Sequence, residues 1–268
     1  MRGRVGPRDT RVLEKGDIVK DRPRTSWLIS IIAGATLALG VQTLGPSGAV
    51  AANGSTLDLA LCAPDRNTFT LAIDNPYFPL LSGQWVLTGK EQGESLGLRI
   101  TVLDSTETLY RGKNRVTTRV VEETEWLDAN ANGAIDPDED LIESSLNYFA
   151  QTQSGTVCYF GEAVDIYENG VVVSHEGSWR ADTRGNAPGI FMPAAPEVGM
   201  TFQQEIAPGI AEDTATILAI GTVTVPAGTF ENAIKVRDFN PLDGSKGVKW
   251  YAPNVGLVVD GPLELMSH

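Results

Sequence analysis

Asn114-Arg115-Val116-Thr117-Thr118-Arg119-Val120-Val121-Glu122-Glu123-Thr124-Glu125-Trp126-Leu127 and Leu141-Ile142-Glu143-Ser144-Ser145-Leu146-Asn147-Tyr148-Phe149-Ala150 decide the fold. The first stretch is rich in Val, Thr and Trp, whose branched or flat side chains suit a pleated surface better than a helix. The second is ambiguous by itself, because Leu141, Ile142, Leu146 and Phe149 also fit one helical face. With the first stretch read as a strand, the two become an antiparallel pair. What lies between them is then a long hairpin connection.

That connection, residues 128–139, reads Asp-Ala-Asn-Ala-Asn-Gly-Ala-Ile-Asp-Pro-Asp-Glu. It matches the twelve-residue calcium-loop template at Asp128, Asn130, Asn132, Gly133, Ile135, Asp136 and Glu139. Calcium is a hard cation that takes six to eight oxygens, and alternate residues of a tight loop aim them inward. Asp128, Asn130 and Asn132 are the expected side-chain ligands, and Ala134 offers its backbone carbonyl. Asp136 binds directly or through water, and Glu139 closes the site with both carboxylate oxygens. Gly133 takes the sharp bend, and Ile135 turns away from the ion. The alternative is an acidic turn that only resembles such a site. Between strands, bound Ca²⁺ pins a hairpin and has no helix pair to open, so a structural role is expected.

Beyond the hairpin, short β-type runs alternate with Gly, Pro, Asn and Asp. They include 68–73, 84–88, 97–103, 156–160, 164–167, 171–180, 200–206, 214–225, 233–239, 246–251 and 256–259. Glu168-Asn169-Gly170 before Val171 is a hairpin signal. The pattern predicts an all-β fold with minor helix: a strongly curved antiparallel sheet, or incomplete barrel, with the calcium loop inserted in one hairpin. Residues 68–268 form a single β-rich domain, preceded by a lead-in over 52–67. The Pro-rich passage Asn186–Gly199 carries Ile190, Phe191 and Met192 and is expected to cross one end of the barrel as a loop.

Residues 1–51 read as a secretory signal. Residues 1–24 are basic, an uncharged apolar run extends from Trp27 to about Leu44, and Ala49-Val50-Ala51 is a processing triplet. An uncleaved anchor is the alternative. Cys62 follows Leu61, which is not the small residue a lipidation site needs. Eight of the 21 basic and four of the 34 acidic residues precede Ala52, which leaves 13 against 30 and a net charge of −17 for residues 52–268. Such a chain repels nucleic acid and anionic membrane surfaces and attracts cations. Secreted or periplasmic, it has in Cys62 and Cys158 an even pair for one disulfide, the alternative being two buried thiols.

Ile73-Asp74-Asn75-Pro76-Tyr77-Phe78-Pro79-Leu80, Tyr159-Phe160-Gly161-Glu162, Glu176-Gly177-Ser178-Trp179 and Tyr251-Ala252-Pro253-Asn254-Val255-Gly256-Leu257-Val258 together resemble a family of exported bacterial proteins without an established activity. The resemblance spans about residues 68–260. It implies a curved sheet similar to the lipoprotein-carrier type, wrapped around an apolar hollow, and an ordinary short turn where this chain has its calcium loop.

Catalytic signatures are sparse. His175 and His268 are the histidines after residue 51, which leaves nothing for a His triad or a multi-His zinc centre. There is no phosphate-binding Gly-rich loop. Carboxylate pairs of glycosidase type stay open, with Glu176, Glu212 and Asp213 the first to inspect. Three readings follow: a calcium-stabilised binding or support protein of the cell envelope, a carrier of a lipid or other apolar small molecule, and a carbohydrate-active hydrolase.

Overall fold

A computed structural model describes residues 54–110 and 112–268. The signal segment 1–51 lies outside them. Sixteen strands follow one another along the described residues. The first eight are β1 (Phe69–Thr70), β2 (Gln84–Glu91), β3 (Glu94–Leu109), β4 (Val116–Leu127), β5 (Leu141–Thr152), β6 (Val157–Glu168), β7 (Val171–Ser174) and β8 (Trp179–Arg180). Then come β9 (Ala187–Met192), β10 (Thr201–Gln203), β11 (Glu205–Ile206), β12 (Thr214–Val225), β13 (Gly228–Phe239), β14 (Lys246–Ala252), β15 (Gly256–Asp260) and β16 (Leu263–Ser267). Among the described residues the helical content is two 3-10 turns, Leu59–Cys62 and Gly112–Asn114.

Strands β12 to β16 and β2 to β6 are two antiparallel meanders, joined where β16 pairs with β2. One end of the sheet continues from β6 through β9 to β11, and the other ends at β10 beside β12. Only Gln204 separates β10 from β11 in sequence. Both ends of the sheet therefore belong to one short stretch, Thr201–Ile206, and the sheet nearly closes into a barrel with one unsealed seam. Gly189 of β9 is glycine because the Gln204 carbonyl packs against it: a Cβ there would lie 2.0 Å from that oxygen.

The lead-in crosses this seam. Thr56 bridges Thr201, and the Leu57 N–H donates to the Thr201 carbonyl at 2.9 Å. Six residues past Thr56, Cys62 is disulfide-bonded to Cys158 of β6. The bond spans 96 residues of sequence, a separation at which chain-entropy arguments give about 4–5 kcal/mol. It belongs to a chain that matures in an oxidising, non-cytoplasmic compartment.

Residues that pair directly across strands share a face, so the register shows what lines the interior. One row runs Trp85, Ile100, Glu123, Ser145. Its neighbour runs Val121, Asn147, Glu162. Across the join, Val236, Lys249, Asp260 and Leu263 form another. Aromatic rings fill the remaining interior: Phe149 stacks on Tyr159 at 4.7 Å, and Phe191 meets Phe78 at 4.4 Å and Phe149 at 4.8 Å. Phe78 is delivered by a segment that buried Asn75 anchors, its amide donating to the Gly155 and Pro193 carbonyls at 2.9 Å each.

The expected all-β incomplete barrel is what the chain forms. Local expectations change: 68–73 is strand only at Phe69–Thr70, and 200–206 is two strands parted at Gln204. Asn186–Gly199 is not simply a loop, since Ala187–Met192 is strand β9. Its Pro188 stands near the strand start, where a missing N–H is tolerated. The runs 156–160 and 164–167 are one strand, β6, and 171–180 is broken by a turn at His175–Ser178.

On the outer face, Gly97 of β3 pairs with Trp126 of β4, whose ring is fully buried. Residues 128–139 fold back over this surface. The Asp128 N–H reaches the Ser95 carbonyl at 3.0 Å, and Gly133 lies against Val86 and Thr88. A Cβ on Gly97 would sit 2.2 Å from the Trp126 ring. Gly97→Ala is expected to lower stability by about 1–3 kcal/mol, as overpacking does, with a shift in Trp fluorescence. Denaturant unfolding measures it, and an unchanged midpoint would contradict the packing described.

Candidate functional site

The β4–β5 hairpin brings the expected calcium residues together. Asp128, fully buried at the end of β4, accepts the Asn132 N–H on Oδ1 and the Gly133 N–H on Oδ2, both at 3.0 Å. Asn130 Oδ1 accepts the Asn132 N–H at 3.0 Å, and Asn132 Oδ1 accepts the Ala134 N–H at 2.7 Å. Glu139 Oε2 accepts the Asp136 N–H at 3.1 Å. These short-range bonds wind the loop: Asp128, Asn130 and Asn132 hold the backbone two to five residues ahead, and Glu139 holds it three residues behind. Ala131 and Gly133 take the left-handed conformation this winding needs, at φ of 56° and 72°.

Two features bear on whether an ion fits. Glu139 Oε1 is buried with no hydrogen-bond partner, as a carboxylate reserved for a cation would be. The centre, however, is drawn together by amides: Asn130 Nδ2 and Asn132 Nδ2 donate to Asp136 Oδ2 at 2.7 and 2.9 Å. Among the described residues no three His, Cys, Asp or Glu side chains converge as metal ligands. Calcium would require Asp136 to release those amides. The Asn130 and Asn132 oxygens, with two lone pairs each, can keep their N–H and still face an ion. The residue types and backbone path fit Ca²⁺, and the last adjustment is one of side chains.

A second cluster lies inside the barrel. A cavity of about 30 Å³ is lined by Glu123, Ser145, Asn147, Glu162, Lys249 and Tyr251 on its polar side and by Phe78, Phe149 and Phe191 among the apolar groups. That is room for about two waters. The Tyr159 hydroxyl donates to Asn147 Oδ1, and Asn147 Nδ2 donates to Ser145 Oγ at 2.9 Å. Lys249 Nζ lies 3.0 Å from Asp260 Oδ2 and 4.0 Å from Asp238 Oδ2. Burial lowers its pKa, but Asp260, Tyr251 and Asp238 outweigh that and hold the ammonium charged.

The acids behave oppositely. Burial pushes Glu162 up to about 8, with Glu143 and Glu123 adding to the effect. Burial also raises Glu123 to about 7 and Asp238 to about 7, each against the pull of Lys249. Glu125 and Glu143 reach about 8 for the same first reason. At the seam, burial and the neighbouring Glu162 and Asp213 raise Glu205 well above the usual carboxylate range, and burial with Asp238 lifts Asp213 to about 7 against the pull of Lys249. Near neutrality much of this interior is therefore protonated.

Of the acids singled out in the sequence, Asp213 alone belongs to this cluster. Glu176 is exposed on the turn after β7, and Glu212 accepts the Gly209 N–H at 2.7 Å. His175 is 72% exposed beside Asp165. The inward acids were missed because β4 carries Glu on both parities, Glu122 facing one way and Glu123 and Glu125 the other. Only the pairing register separates them. Compared with known protein families, curated proteins and solved structures, the chain matches none.

The interior makes stability depend on pH with a definite sign. A carboxyl whose folded pKa is raised contributes stability that is complete below its unfolded value, near 4, and is lost as pH climbs through the folded value. Each such group costs about 1.4 kcal/mol per pH unit across that window. The melting temperature is expected to fall between about pH 5 and pH 9. Glu162→Gln should flatten the profile and melt above wild type at the alkaline end. A profile without slope would mean the acids are ionised and solvated.

Proposed function

We propose that this is an exported barrel protein of the cell envelope that binds a target rather than transforming it, with one calcium ion holding its β4–β5 hairpin. One observation carries the calcium reading: the loop is already wound on Asp128 by its own N–H groups while Glu139 keeps a buried oxygen without a partner. Bound calcium would be held by Asp128, Asn130, Asn132, Ala134, Asp136 and Glu139. It would stiffen the flap that covers Trp126 and the outer faces of β2 and β3. An extracellular site of this kind binds at about 10⁻⁴–10⁻³ M, adequate where calcium is plentiful.

The other two readings find less support. The cavity of about 30 Å³ has no space for an acyl chain, and rings occupy the hollow a carrier would need. Glu125, Glu143, Glu205 and Asp213 are buried, whereas a glycosidase sets its pair across an open cleft.

Calorimetric titration of the chelator-stripped full chain with Ca²⁺ tests the proposal. One saturable site is expected, absent from the Asp128→Ala/Glu139→Ala variant. At calcium about a hundredfold above Kd, holo protein gains about 2.7 kcal/mol and melts higher. No saturable heat would reduce the loop to an acidic turn.

A further inference from the structure

Lys249 is a buried ammonium with a carboxyl on either flank. It stands on β14, the middle of three neighbouring strands, with Asp238 on β13 and Asp260 on β15. Lys249 and Asp260 are direct cross-strand partners. Asp238 pairs with Gly247, two residues before Lys249 and so on the same face. Lys249 Nζ donates to Asp260 Oδ2 at 3.0 Å and lies 4.0 Å from Asp238 Oδ2. The side chains of Lys249, Asp260 and Asp238 are 8%, 16% and 2% exposed. Asp238 Oδ1 is buried without a hydrogen-bond partner, and Tyr251 and Glu123 share the wall of the cavity that Lys249 lines. Burial penalises both ions of the Lys249–Asp260 pair. One covalent bond would remove both charges.

We propose that Lys249 and Asp260 join in an intramolecular amide, Nζ bonded to Cγ, with the Asp238 carboxyl between them carrying the protons. One Nζ proton passes to Asp260 Oδ2 along the existing hydrogen bond, which leaves a neutral amine beside a neutral acid. The nitrogen lone pair then forms the N–C bond at Cγ. Asp238 takes a second proton from nitrogen and gives one to the departing hydroxyl, so the C–O bond breaks and water leaves. The third proton stays as the amide N–H, and nothing is oxidised or reduced. Burial lifts Asp238 to about 7 against the pull of Lys249, so near neutrality its carboxyl is present in both the forms this relay uses. The cavity of about 30 Å³ that Lys249 lines has room for the water released. Groups held in well-aligned contact reach effective molarities of about 10⁵–10⁸ M, which takes the place of chemical activation. The surrounding acids hold the ammonium proton at rest, so the bond forms slowly, after folding.

Mass spectrometry of the purified full chain, reduced and digested with trypsin, tests the proposal. Residues 247–268 are expected as one peptide, lighter than their sequence by one water. An amide-bonded Lys249 is no longer a cleavage site, and no Lys or Arg follows it. Lys249→Arg keeps the charge but should give the full mass. Asp238→Asn should slow bond formation about a hundredfold or more, as loss of a general acid–base does. Circular dichroism and formation of the Cys62–Cys158 bond verify that this variant folds. Full sequence mass in the wild-type chain, with trypsin cutting after Lys249, would overturn the proposal. So would an amide to Asp238 instead, which would tie residues 238–246 to 247–268. Undiminished bond formation in folded Asp238→Asn would overturn the proton-carrying role.

Discussion

A long antiparallel sheet has two edges to hide, and unpaired edges invite other chains. Here both are given to one stretch, Thr201–Ile206, which pairs with β12 through its first half and with β9 through its second. Everything else follows from that closure. It sets which strand faces look inward, it requires glycine at position 189, and it makes an enclosed chamber of a surface that an open sheet would leave wet. A side chain at position 189 would push the two lips apart, since the Gln204 carbonyl packs against that position.

Closure also creates the tension that characterises the molecule. Carboxyls on an open sheet would ionise in water at little cost. Enclosed, they are protonated, neutralised by Lys249 or left with an empty acceptor. The chain as a whole is strongly acidic, yet its external acids do ordinary work as solvated charges and turn formers. The two candidate sites divide the same chemistry. Outside, a loop arranges carboxylates and amides around a point where a hard cation fits. Inside, the oxygens are dispersed over strands that converge only when the barrel closes.

This difference explains what could be read from the residues alone. The loop is local, so its spacing is visible in twelve consecutive positions, and the structure brings Asp128, Asn130, Asn132, Asp136 and Glu139 into one hydrogen-bonded turn. The strand 214–225 was legible to the residue, because Thr, Ile and Val make up most of it. Strand β9 was not, because Pro188 and Gly189 are loop signals whose meaning here comes from a carbonyl fifteen positions later. The interior acids were illegible for the same reason. Glu123, Glu162 and Glu205 are far apart in sequence, and only the register brings Glu123 opposite Ser145 and Glu162 opposite Asn147.

The lead-in adds a consequence of timing. It touches β10 on one lip of the seam at Thr56 and is bonded to β6, beyond the other lip, through Cys62. The seam is thus stitched twice, once by the main chain at Gln204 and once by sulfur. A thread of this kind is tied only where oxidants are at hand. The second stitch waits for oxidation. A chain still in a reducing compartment carries a seam held by hydrogen bonds and packing alone, and the step that locks its interior is the change of surroundings.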